Sequence, residues 1–181
     1  MKKKLIIFSL LAVMSIGAIA LKIFFQRSFA KDTAGGLKIT SVFSNLEKIP
    51  KKYTCDGENF SPELFISGVS TQAKSLVFIM DDPDAPMVTF THWLVYNIPT
   101  DTGKISSQSL PKGALQGLND FEKIAYGGPC PPSGIHRYYF KLYSIDKILD
   151  LKAGVTVEEL LKAIDHHVLQ KAELIGSYSR N

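Results

Sequence analysis

Residues 75–99 read SLVFIMDDPDAPMVTFTHWLVYNIP, and the succession of chemistries along them decides the fold. An apolar run of strand length, residues 75–80, empties into an acidic turn, and a second strand-forming run, HWLVYNI, leads away from it. Continuous rather than alternating apolarity marks a strand buried on both faces. Pro83 and Pro86 fix their own φ and hold Asp82 and Ala85 extended, so the turn has few conformations to lose on folding. It is a preorganised place for a carboxylate. His92, at the start of the returning run, stands close enough in sequence to face that turn across a short connection.

A second stretch, residues 126–146, reads YGGPCPPSGIHRYYFKLYSID. Its glycines and prolines predict a rigid loop over residues 127–134, and the residues after it predict a strand over 136–145. Alternation places His136, Tyr138, Phe140 and Leu142 on one face of that strand and Arg137, Tyr139, Lys141 and Tyr143 on the other. Residues 37–43 alternate as a first strand would, residues 49–63 form an irregular crossing punctuated by Pro50, Gly57 and Pro62, and residues 64–67 are strand-like. The polar stretch 100–123 carries Gly103, Gly113 and Gly117 and predicts a long surface connection whose length points to function or disorder. Near the C-terminus Thr156 and Glu159 have the spacing of a capping box. The stripe Val157, Leu160, Leu161, Ile164 and Val168 then predicts an amphipathic helix covering a sheet. His166 and His167 fall inside this helix, about 100° apart, so they cannot pair on a metal and are structural or exposed. The tail LIGSYSRN reads as a short final strand or a packed end.

The first residues, MKKKLIIFSLLAVMSIGAIALKIFF, carry three lysines and then 17 uncharged residues, 5–21. Residues 1–30 are therefore expected to be an export signal, with a retained membrane anchor over 5–21 as the alternative. Ala18-Ile19-Ala20 and Ser28-Phe29-Ala30 are the competing small-x-small cleavage sites, and no cysteine follows to take a lipid. The 181-residue chain has a net charge of +4, but five basic residues and no acid lie in residues 1–30, leaving 16 basic against 17 acidic residues beyond them. The basic character thus belongs to targeting. It gives no reason to expect nucleic acid or an anionic membrane as a partner of the folded part. Residues 31–181 are enough for a single domain with a full core.

Four strings, YTCDGENFSPEL, DDPDAP, HWLVYNIP and YGGPCPPSGIHRYYFKLYSID, occur in this order. Together they resemble the phosphatidylethanolamine-binding protein (PEBP) family in its bacterial and archaeal branch, called Raf kinase inhibitor-like, and the resemblance spans residues 37–179. It implies a mainly β fold: a large central antiparallel sheet, a second smaller sheet against it, and peripheral helices toward the C-terminus. It also implies a small pocket for anions such as phosphate and phospholipid head groups. The family's motif residues fall here on Asp82, His92, His136 and Tyr138, beside a loop that includes Gly128 and Pro129. Asp84 shares the acidic turn and is given a turn-stabilising role.

Two imidazoles suit an anion because they donate hydrogen bonds to oxyanion oxygens, more strongly when charged. Asp82 would then hold or charge a histidine, fixing its tautomer; facing the ligand directly, it would need an amine such as that of ethanolamine. The same residues have the composition of a two-histidine, one-carboxylate metal site or of an acid/base pair acting on a phosphoester. No nucleophile signature accompanies them: Ser133 lacks an elbow context and Cys130 precedes no helix. The expectation is therefore a binding protein without cofactor or metal. A third reading, drawn from family associations, is inhibition of an extracytoplasmic protease or another partner protein through residues 100–123 and 55–60. Cys55 and Cys130 are the only cysteines; export favours a disulfide between them, and two buried thiols are the alternative.

Overall fold

A computed structural model of the chain describes residues 36–180. The leader, its two cleavage sites and the alternative anchor lie outside the described residues. β3 (Ser75–Asp82) is buried at all eight positions. The cause is its place in a five-stranded antiparallel sheet, ordered β6 (Leu115–Gln116), β4 (Phe90–Ile98), β3, β7 (His136–Ile145), β8 (Val168–Tyr178). Leu76, Phe78 and Met80 enter a core shared with a three-stranded sheet of β1 (Lys38–Ser41), β2 (Leu64–Ser67) and β5 (Lys104–Ile105), which supplies Ile39, Leu64, Ile66 and Ile105. Val77 and Ile79 point the other way, to Leu160 and Ile164 of α1 (Val157–Ile164). Each such side chain contributes about 1.5–3 kcal/mol when fully buried. That is why the run admits no polar residue between Ser75 and Asp81.

Every pair in the five-stranded sheet is antiparallel, with Asp82 opposite Phe90 and His136 opposite Tyr178. The C-terminal ends of β3 and β8 and the N-terminal ends of β4 and β7 therefore meet at one end of the sheet. This brings the acidic turn, His92 and His136 together. The expected faces of β7 are observed: His136, Tyr138, Phe140 and Leu142 are buried, and the intervening residues are half-buried or exposed.

The capping box forms, with the Glu159 amide donating to Thr156 Oγ1 and the Thr156 amide to Glu159 Oε2. The helix is shorter than its stripe predicted. It ends at Ile164, and His166, at φ 62°, turns the chain out through the left-handed region. His166 and His167 thus lie outside the helix, and Val168 opens β8. Leu161, counted on the apolar stripe, is exposed. The final strand is long, 11 residues, and toward the C-terminus this one α-helix stands among the described residues where several helices were expected; a 3-10 turn lies earlier, at Lys51–Tyr53. Residues 100–123 are ordered too: they carry β5 and β6, one joining each sheet.

Residues 45–49 run beside the outer edge of β8. The amides of Leu46 and Ile49 donate to the carbonyls of Ile175 and Ser177, the Ser177 amide donates to Glu47 O, and the Ile175 amide donates to Asn45 Oδ1. Gly176 makes the approach possible, because a Cβ there would lie 2.5 Å from Ile49 and 2.8 Å from Phe43. The sulfurs of Cys55 and Cys130 are at bonding distance, 2.12 Å, with their Cα atoms 5.4 Å apart.

Candidate anion-binding site

Asp82 ends β3, and both of its oxygens are engaged. Oδ1 accepts the Asp84 amide at 2.9 Å, closing an Asx-type turn. Oδ2 accepts from His136 Nδ1 at 2.7 Å. The histidine held by Asp82 is thus the one on β7, 54 residues away, and not the neighbour in sequence. A carboxylate partner places a proton on His136 Nδ1 and leaves Nε2 without a hydrogen-bond partner among the described residues. Both side chains are buried.

His92 is pinned differently. Its Nδ1 donates to Gly127 O at 2.7 Å, and the Gly127 amide returns a bond to His92 O at 3.0 Å. Burial pushes the His92 pKa down, and the Gly127 carbonyl only partly opposes this. The ring is therefore neutral at pH 7 with its proton on Nδ1, so its Nε2 is an acceptor, where the sequence suggested a donor. Phe90 and Phe121 pack on the ring, with centroids 5.1 and 5.4 Å away.

Tyr138 joins the two halves. Its ring meets His92 edge to face at 5.2 Å, and its hydroxyl is buried with no hydrogen-bond partner. The Asp82 carboxyl and the Cys130 backbone are both within its influence, but neither completes a bond of ordinary geometry. Burial first, and then the Asp82 charge, push the Tyr138 pKa up, so the hydroxyl keeps its proton. Asp82, His92, His136 and Tyr138 are thereby one cluster.

The loop that closes the cluster is held from behind. The Gly128 amide donates to Asn59 Oδ1 at 2.9 Å, the Cys55 amide to Pro129 O at 3.1 Å, and Tyr126 Oη to Tyr53 O at 2.7 Å. A Cβ on Gly128 would lie 2.4 Å from Asn59 Oδ1 and 2.5 Å from Tyr53 O, so glycine is required by the close approach. Asn59 was not singled out from the sequence, nor was Asn119, whose side chain binds the carbonyls of His92 and Ala125 and the amides of Phe121 and Lys123. Isolated asparagines in polar stretches carry no periodic signal. Asp84 has the turn role expected of it, through a partner sequence reasoning passed over. Arg137 donates to both Asp84 oxygens, at 2.8 and 2.7 Å, and holds that carboxyl's pKa down at about 2.

Among the described residues no three His, Cys, Asp or Glu side chains are grouped to hold a metal ion. Asp82, His92 and His136 are turned toward hydrogen-bond partners within the protein.

Residues 39–179 match the sequence profile of phosphatidylethanolamine-binding protein. The chain belongs to the phosphatidylethanolamine-binding protein family. Its relatives include a UPF0098 protein of Methanothermobacter thermautotrophicus, 49% identical over 146 residues, which are 78% of this chain and 97% of that protein. A UPF0098 protein of Pyrococcus horikoshii is 51% identical over 152 residues, 80% of this chain and 77% of that one. A crystal structure of a PEBP homologue from Chlamydia trachomatis superposes with a TM-score of 0.78 at 42% identity, covering 82% of this chain and 100% of that one. The E. coli protein YbcL, described as a member of the mammalian PEBP family, gives 0.75 at 29% identity over 81% and 100% of the two chains. The two antiparallel sheets described above are those of a PEBP fold.

Proposed function

We propose that this PEBP-family chain is an exported protein that binds a small oxyanion, the phosphate of a phospholipid head group or one like it, at the cluster of Asp82, His92, His136 and Tyr138. The observation that carries the reading is the buried, unpartnered Tyr138 hydroxyl in a cluster with two imidazoles whose Nδ1 atoms are both engaged inward. A buried hydroxyl left unsatisfied is unfavourable, and an oxyanion relieves it by accepting a hydrogen bond from it. His92 Nε2, an acceptor, suits a ligand that also carries a hydrogen: a protonated phosphate or an ethanolammonium N–H. His136 Nε2, on the side of the ring away from Asp82, gives a third contact. The Gly128–Pro129 loop excludes water behind the ligand. Export is supported by the lysine-rich apolar leader and by the paired cysteines.

Titrations of phosphate, phosphoethanolamine and acetate into wild type, His92→Ala and His136→Ala test the reading. Each histidine substitution should weaken phosphate binding about tenfold or more, the worth of a hydrogen bond to a charged group. Equal affinities in the three proteins overturn it.

A further inference from the structure

Asn59 and Tyr126, which hold the closing loop from behind, also line a second cleft, of about 350 Å³, a size within the range of small-molecule sites. None of Asp82, His92, His136 and Tyr138 lines it. Its most buried aromatic is Trp93, the residue after His92 and the only tryptophan in the chain. The Tyr126 ring meets that indole at 88°, with centroids 5.5 Å apart. Phe60, Leu110 and Tyr126 are half-buried. Three partly uncovered apolar side chains that share one concavity leave surface that a ligand can remove from water.

The cleft is built rather than left over. Asn59 and Gln108 stand at φ 57° and 61°, a region asparagine tolerates but glutamine rarely adopts. Ser107 Oγ donates to Ser61 O at 2.7 Å and the Gln108 amide to Ser61 Oγ at 3.4 Å, so the two lining segments are fastened to each other. Strained backbone persists where the surroundings hold it in place.

The polar groups decide what the cleft can take. Trp93 Nε1 donates to Gln116 Oε1 at 2.7 Å, and Gln116 Nε2 has only a long bond, 3.4 Å, to Ile124 O. One of its two amide hydrogens is therefore unspent. The Gln108 side chain makes no hydrogen bond among the described residues and offers a donor and an acceptor. Glu58 is the one charged residue of the lining, exposed and without an ion pair among the described residues. A carboxylate or phosphate would find no cation in that lining, and an exposed carboxylate does little for an ammonium.

We infer that this cleft is a second ligand site, separate from the anion cluster, for a small uncharged molecule that joins an aromatic ring to an amide. The ring lies against Phe60, Leu110 and Tyr126, and the amide is matched in donor and acceptor by the carboxamides of Gln116 and Gln108. The inference is independent of the phosphate-binding reading above.

The test uses the full chain labelled with nitrogen-15. Trp93 gives a single indole N–H resonance, because no other tryptophan is present, and its partner Gln116 is the proposed ligand contact. The probes are 2-naphthamide, 2-naphthoate and 2-naphthylmethylammonium, which share a ring system and differ in charge. Naphthamide should shift the indole resonance saturably, and each charged analogue should bind about tenfold more weakly, since neither charge meets a buried partner. Gln116→Glu keeps an acceptor for the indole but loses the donor, and should weaken naphthamide about fivefold. Ser109→Phe, at an exposed lining position, fills the cleft and should weaken it about tenfold. A retained indole resonance shows that either variant has folded. Equal affinity for the three probes, tighter binding of a charged one, or naphthamide binding unchanged in both variants overturns the inference. Displacement of naphthamide by inorganic phosphate would place both in one site and overturns it too. A chain that binds naphthamide in this way but no phosphate leaves the second site standing and overturns the oxyanion reading.

Discussion

Replacing Tyr138 with Phe should make the ligand-free protein more stable and its complex with phosphate weaker. The Tyr138 side chain is fully buried, and its hydroxyl has no partner. Such a group costs about 1–3 kcal/mol; after allowance for the small space left behind, Tyr138→Phe should gain about 1 kcal/mol. For a domain of this size that raises the melting temperature by about 2–4 °C. Phosphate reverses the order. At a hundred times its dissociation constant the ligand stabilises wild type by about 2.7 kcal/mol. Loss of one hydrogen bond, about 1.4 kcal/mol and hence tenfold in affinity, leaves the variant about 1.4 kcal/mol of that gain. The two proteins should exchange rank as phosphate is added, in urea unfolding followed with the disulfide intact. A variant less stable than wild type without phosphate would show that the hydroxyl is satisfied in the native state, by Asp82 or the Cys130 amide. A constant difference at every phosphate concentration would place the hydroxyl outside the binding site.

Acid provides a second test: Arg137 holds the Asp84 carboxyl at about 2 against an ordinary 3.8. Its stabilisation is complete above about pH 4 and disappears as the pH falls through 2, so Arg137→Gln should flatten that limb of the urea midpoint between pH 4 and 2. His92, with its pKa held below 6.5 by burial, supports the fold fully above pH 6.5 and less as acid charges it; nitrogen chemical shifts at pH 7 should show a neutral ring protonated on Nδ1. Gly128→Ala forces a Cβ to within 2.5 Å of Tyr53 O and should lose about 1–3 kcal/mol of unfolding free energy along with phosphate affinity. Cys55→Ser with Cys130→Ser opens a covalent loop of 75 residues and should lower stability by roughly 4 kcal/mol. No difference between oxidised wild type and that variant would mean the thiols are free.

The sequence disclosed the elements whose chemistry is local or periodic. Residues 75–80 could be uninterruptedly apolar only if covered on both faces, and the faces of β7 followed from simple alternation. The helix end was hidden because Val168 lies four residues after Ile164, a spacing a helix also satisfies. β8 was hidden because its inward positions are Gln170, Ala172, Leu174, Gly176 and Tyr178, with a single large aliphatic among them; its small residues reflect the chain packed against it. In the site, the two prolines marked the acidic turn and alternation set His136 and Tyr138 on one face, but it was the family resemblance that joined the four side chains in one pocket. Which histidine Asp82 would hold depended on the register of β3 against β7, and His92 engages a backbone carbonyl, a group every residue carries. The cysteines left bond and thiol both open until the fold brought their Cα atoms to 5.4 Å.

The strap of residues 45–49 along β8 bears on how the protein behaves in a crowd of its own copies. A sheet edge with free amides and carbonyls is a template on which a second chain can add a strand. Here one edge of the larger sheet is β6, only two residues long, and the other is taken at Ile175 and Ser177 by the strap. The C-terminal end of β8 is guarded against strand addition by the protein's own backbone, and the guard depends on one absent methyl group. Gly176→Val would push Ile49 and Phe43 away, reopen the end of β8, and convert a packing defect into a tendency to form sheet-mediated aggregates.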